Sequence, residues 1–117
     1  MDRWLRATVN SWNGLIAATR SEQAFRQELV ALVFAVPLAF VIAEDTWKRL
    51  ALIAAVLFLV VVELLNTAIE KLADRLTMDR DTKVKHVKDM GSAAVGVTLI
   101  MAGIFWLFAI AERMGVI

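Results

Sequence analysis

Three runs dominate this 117-residue chain: 29–43 (LVALVFAVPLAFVIA), 50–69 (LALIAAVLFLVVVELLNTAI) and 90–111 (MGSAAVGVTLIMAGIFWLFAIA). Between them they carry one charged side chain, Glu63. A helix needs about 20 predominantly apolar residues to cross a bilayer, with a range of ~17–25. The second and third runs meet that length. The first is short unless Gln27, Glu28 and Glu44 stand at its interfaces, and Pro37 predicts a kink inside it. Apolar residues make up 60% of the chain, above the ordinary ~45–50%, and so small a soluble domain has too little interior to hide the excess. The expected fold class is an all-α membrane protein with three spanning helices.

Charge placement sets the expected orientation. Arg3, Arg6, Arg20 and Arg26 precede the first span, and Lys71, Arg75, Arg80, Lys83, Lys85 and Lys88 lie between the second and third. Cytoplasmic segments are enriched in Lys and Arg, so both regions are expected inside, giving an N-in, C-out, multi-pass topology. The 13 Lys and Arg nearly cancel the 12 Asp and Glu, which leaves no basic field for nucleic acid. Zero cysteines exclude a disulfide framework and a thiolate metal site, and the single His86 reads as a solvated residue rather than a ligand. The opening MDRWLRATVNSWN is mixed polar and aromatic, so no cleaved secretory leader is expected.

Residues 1–20 follow a different pattern. Leu5, Val9, Trp12 and Ile16 share a narrow arc at ~100° per residue, with Arg3, Arg6 and Asn10 on the far side. This predicts an amphipathic helix lying on the membrane surface; the alternative is a solvent-facing helix packed on the bundle. The tryptophans read first as interfacial anchors.

Glu63 demands a chemical account, because an ionisable group at membrane depth costs at least ~2.5–3.5 kcal/mol on insertion scales. On a helix Glu63, Glu70 and Asp74 fall within roughly 40° of one another, with Asn66 beside them. One polar stripe thus runs inward from the cytoplasmic end. It could serve only to join helices by hydrogen bonds. The number of carboxylates, and the nearby charge of SEQAFRQE and HVKDMGS, points instead to a site gathering Glu22, Glu28, Glu63, Glu70, Asp74, Lys88 and Asp89. Hard oxygens with cations suit Mg²⁺ and a polyphosphate. GSAAVGVT at 91–98 imitates a phosphate-binding loop, but Val97 stands where the lysine belongs, so that reading is rejected. Gly91, Ala93 and Ala94 are expected to let helices approach closely.

The string ELLNTAIEKLADR at 63–75, preceded by SEQAFRQE at 21–28 and followed by VKDMGSAAV at 87–95, resembles the small integral-membrane diacylglycerol kinases of bacteria. Nearly the whole chain lines up with that family. The resemblance implies a homotrimeric bundle of three-span protomers, each with a surface helix, in the bacterial inner (cytoplasmic) membrane. It implies transfer of the ATP γ-phosphate to diacylglycerol with Mg²⁺ as cofactor, giving phosphatidic acid at sites shared between two protomers. By position, Glu63 corresponds to the catalytic base, and Glu22 and Glu70 to the metal-holding carboxylates. ATP contacts are implied for Arg3, Asn10, Glu22, Glu70, Asp79, Arg80, Asp81, Lys88 and Asp89. Lipid-substrate contacts are implied for Arg3, Ser11, Trp12, Phe25, Arg26, Glu28, Glu63, Asn66 and Ser92.

The expected organisation is a single membrane-embedded kinase domain, 1–117: surface helix and entry at 1–26, spans at 27–45, 48–70 and 89–111, and a cytoplasmic loop at 71–88. One segment departs from the family pattern. MDRDTKV at 78–84 has Asp79-Arg80-Asp81 where relatives often carry Glu-x-His, which puts the nucleotide-base contacts in doubt, since Asp81 cannot imitate a neutral imidazole donor. Two other functions stay open: an undecaprenol kinase of the same fold, and a non-catalytic membrane assembly protein.

Overall fold

Asp2 accepts a hydrogen bond from the Trp4 backbone N–H at 3.3 Å, a side-chain cap that opens helix α1 (Arg3–Ser21). The computed structural model describes residues 2–76 and 82–117, and among these the chain forms three further helices. They are α2 (Gln23–Ile42), α3 (Thr46–Leu76) and α4 (Thr82–Arg113). Glu22 alone joins α1 to α2, in extended backbone at φ −122° and ψ 115°. Asp45 accepts from the Lys48 backbone N–H at 3.3 Å at the start of α3. Helix α4 ends in a Schellman turn: Gly115 adopts φ 77°, its N–H bonds to Glu112 O at 3.1 Å, and the Val116 N–H bonds to Ala111 O at 2.9 Å. Glycine takes that left-handed conformation without a side-chain penalty.

Helices α2, α3 and α4 are each long and apolar enough to cross a membrane. Pro37 lies within α2, where it removes one backbone donor. Helix α3 has 31 residues and so runs about 46 Å, well beyond a hydrocarbon layer of ~30 Å. Its C-terminal turns continue past the apolar run to Leu76, and α4 begins at Thr82. The polar connection expected at 71–88 is therefore largely helical where described. Charged residues with good helix propensity extend a helix as readily as apolar ones once it leaves lipid.

Helix α3 is the central element, packing against both α2 and α4, while α1 leans on α2. Small residues set the closest approaches. Ala39 and Ala43 of the α2 end meet Leu52, with Trp106 and Ala109 of α4 against them. At the other end Ala18 and Phe25 meet Val60, flanked by Leu29 and Leu64. The outward surfaces are apolar, with Val33, Phe34, Val97, Ile100, Leu107 and Phe108 exposed, as lipid contact requires.

Polar links fasten the far ends of the three long helices. Arg49 Nε donates to Ala43 O at 2.8 Å, and its guanidinium lies 4.7 Å from the Phe40 ring centroid. Lys48 pairs with Glu112, and Arg113 with Glu44 at 3.5 Å. Trp106 Nε1 donates to Leu52 O at 3.1 Å, joining α4 to α3 inside the apolar packing. Trp106→Phe keeps the ring contact and removes that bond. The expected cost is about 0.5–1.5 kcal/mol, read as a lower unfolding midpoint in detergent.

Candidate functional site

The polar stripe of α3 turns inward. Glu63 and Asn66 are each only 8% exposed, and Thr67 beside them is buried as well. One turn on from Asn66, its Nδ2 donates to Glu70 Oε1 at 3.0 Å, which fixes the orientation of that carboxylate. The other amide atom, Oδ1, is buried without a hydrogen-bond partner and lies against Gly91 of α4. A Cβ at Gly91 would collide with that oxygen and stand 3.3 Å from Asn66 Cγ. The missing side chain of Gly91 thus creates the space the Asn66 amide fills.

Two further carboxylates converge from the joint between α1 and α2. Glu63 lies within electrostatic range of Glu70 and Glu22, and Glu28 within range of Glu63. One oxygen of Glu28, Oε2, is also buried and unpartnered. Four glutamates and an asparagine therefore share one end of the bundle, two of them carrying orphaned acceptor atoms. An unsatisfied buried acceptor is costly.

Cations border this cluster. Lys88 Nζ donates to Asp74 Oδ1 at 2.8 Å across the α3–α4 hairpin and stands within range of Glu70. Asp89, the next residue, pairs with Lys85 at 2.7 Å one turn back on α4. Lys71 Nζ lies 3.6 Å from Glu22 Oε1 and donates to Ser21 Oγ at 3.0 Å. In the sequence Lys71 and Lys85 signal only topology. No periodicity links Lys71 to Glu22, because the contact depends on how α1 docks.

The remaining expected residues divide. Phe25 is fully buried between Ala18 and Val60, so within one protomer it is a core side chain. Arg26 turns its Nη1 onto the last carbonyls of α1, Thr19 O at 2.9 Å and Arg20 O at 3.2 Å, where a cation also suits the helix end. Arg3 stacks over Trp4 at 5.3 Å, and Ser11 Oγ bonds to Ala7 O at 2.8 Å in its own helix. Asn10 and Ser92 are exposed. Trp12, also exposed, lines an apolar cleft with Leu15, Ile16, Arg20 and Leu29. Asp79, Arg80 and Asp81 lie outside the described residues.

Among the described residues no three acidic or imidazole groups converge as a metal cage. Glu22 and Glu70 are hard carboxylates, each within electrostatic range of Glu63.

The family model for prokaryotic diacylglycerol kinase matches residues 9–110. The diacylglycerol kinase of Escherichia coli strain K12 is 41% identical over 97% of this chain and 93% of its own length. That of Pseudomonas aeruginosa is 42% identical over 91% of this chain and 86% of its own. The Haemophilus influenzae enzyme is 35% identical over 87% and 86%. With a buried carboxylate stripe on a membrane-length helix and matches of this extent, the chain belongs to the prokaryotic diacylglycerol kinase family.

Proposed function

We propose that the chain is a diacylglycerol kinase that transfers the ATP γ-phosphate to the free hydroxyl of diacylglycerol, giving phosphatidic acid. The observation that carries the reading is Glu63, buried at 8% exposure in an apolar helix and joined by Asn66 and Glu70 toward the polar end. A lipid alcohol arrives from the bilayer and a triphosphate from water, so they meet where such a stripe crosses the interface. Glu63 accepts the hydroxyl proton as the oxygen attacks. Asn66 holds Glu70 in place, and Glu70 with Glu22 would hold Mg²⁺, whose charge would offset that of the phosphates. Lys88, aimed by Asp74, donates to a phosphate oxygen as charge shifts during transfer.

The same reading assigns residues 1–117 to one kinase domain and places it in the bacterial inner membrane with α1 on the cytoplasmic surface, N-terminus inside and C-terminus outside. Three protomers assemble, with each site completed by a neighbour. Arg3, Asn10 and Asp89, with the 79–81 segment, serve the nucleotide; Ser11, Trp12, Phe25, Arg26, Glu28 and Ser92 border the lipid path. The exposed apolar faces of α2 and α4 supply surface for both lipid and neighbouring protomers.

Glu70→Gln is expected to raise the Mg²⁺-ATP concentration for half-maximal rate by at least about tenfold, as loss of a ligand or its support does elsewhere. An unchanged metal titration would remove Glu70 from the ligand set. The acceptor is tested by offering purified protein γ-labelled ATP in mixed micelles with diacylglycerol or undecaprenol. Labelled phosphatidic acid is the expected product. Preference for undecaprenol would reassign the lipid, and no transfer to either alcohol would favour a non-catalytic assembly role.

A further inference from the structure

The end of the bundle opposite the carboxylate stripe carries two adjoining clefts. One, of about 290 Å³, lies between α3 and α4 and is walled by Ala51, Leu52, Phe105, Phe108 and Ala109, with Ile117 brought back to it beyond the Schellman turn. The other, of about 300 Å³, lies between the α2–α3 connection and α4 and holds Glu44, Asp45, Lys48, Glu112 and Arg113. Lys48 and Glu112, paired with each other, line both. An apolar cleft therefore meets a charged one across a single ion pair. Lys48 precedes Glu63 by 15 residues, about 22 Å along α3, so neither cleft belongs to the carboxylate cluster. Trp47 beside it is 77% exposed, as suits a tryptophan at a membrane interface. With α3 read as a span, the charged cleft stands at headgroup level and the apolar one among acyl chains.

The charges select the occupant. Two cations and three carboxylates line the headgroup side, so an anionic headgroup would meet more repulsion than attraction. A quaternary ammonium offers the carboxylates no N–H donor, whereas a primary ammonium offers three. The pairs Lys48 with Glu112 and Arg113 with Glu44, the latter at 3.5 Å, have every partner at least 50% exposed, so trading them for headgroup contacts costs little. We propose that the two clefts together hold one zwitterionic phospholipid of the ethanolamine type. Its phosphate lies on Lys48 and Arg113, its ammonium on Glu44, Asp45 and Glu112, and part of an acyl chain along Phe105 and Phe108. Bound there, the lipid is a structural partner that ties the α2–α3 connection to the end of α4, remote from phosphate transfer.

The test is native mass spectrometry of the full chain in detergent, titrated with dioleoyl phosphatidylethanolamine, phosphatidylcholine or phosphatidylglycerol. The three share chains and phosphate and differ only beyond it. The ethanolamine lipid is expected to bind about three- to tenfold more tightly than either other, the range of one or two exposed charge contacts. Glu44→Gln combined with Glu112→Gln should bring it down to the level of the choline lipid. Lys48→Gln combined with Arg113→Gln should weaken all three lipids, as should Ala51→Phe, which narrows the apolar cleft; Ala51→Leu gives the same readout with less crowding. The comparison of lipids on the wild-type chain needs no variant, so a variant that fails to fold leaves the test intact. Equal affinity for the three lipids would overturn the proposal. An ethanolamine preference that survives the Glu44 and Glu112 exchanges would place that lipid elsewhere and overturn it too. Assembled protein that binds none of the three would give the clefts to a second copy of the chain, again against the proposal.

Discussion

Glu63→Gln is expected to fold and assemble as the wild type does while losing phosphate transfer by about 10²–10⁴-fold, the range a positioned general base contributes. Glutamine keeps the length of the side chain and its capacity for hydrogen bonds but cannot take the hydroxyl proton. The exchange should not harm the fold. Glu63 is buried within range of the like charges of Glu70 and Glu22, and an amide is easier to carry in an apolar helix than a carboxylate. Size-exclusion profiles and circular dichroism should therefore match the wild type, with γ-labelled ATP reporting the loss. Wild-type turnover in this variant would reject the base assignment.

The second large effect is expected at Gly91. A Cβ there enters the space of the Asn66 amide, so Gly91→Ala must displace that side chain and with it the bond that orients Glu70. Activity should fall sharply while the helical content stays. Gly91→Val adds two methyl groups beyond the alanine Cβ between α3 and α4, where overpacking costs roughly 1–3 kcal/mol and parts the helices. A graded series follows, in which alanine damages turnover first and valine lowers the unfolding midpoint as well. Equal activity across glycine, alanine and valine would mean that the Asn66–Glu70 arrangement has no part in catalysis.

Much of the scaffold was legible in the sequence because bilayer thickness acts as a ruler. The apolar runs at 50–69 and 90–111 located the two longest apolar helices, whereas the first, expected at 27–45, runs from Gln23 to Ile42. The helical spacing of Glu63, Asn66 and Glu70 likewise foretold one inward stripe, since residues on one helix need no tertiary knowledge to be placed together. Of the three small residues expected at a close approach, Gly91 meets Asn66, while Ala93 and Ala94 are exposed within one protomer.

What escaped the sequence was everything decided by docking between helices. Glu22 and Glu28 belong to the expected site, but the single extended residue that turns α1 into α2 carries no signal in the sequence. Phe25 fills the gap between Ala18 and Val60, a packing contact that hydrophobicity alone does not place. Arg26 caps the end of α1, a local duty that its charge did not announce. Lys71 was counted among the basic residues of a loop, yet it lies on α3 against Glu22. The family resemblance supplied roles for many of these residues but none of their distances.

The central claim is that the acidic face of α3 sits at membrane depth, turned into protein rather than water. The chain has no cysteine, so single labels can be placed without removing native thiols. The direct measurement is nitroxide relaxation by a water-soluble nickel chelate in liposomes, comparing Glu63→Cys with His86→Cys. The label at 63 should be strongly shielded and the label at 86 freely relaxed. Equal relaxation of both by the nickel chelate would place Glu63 in bulk water and contradict the account.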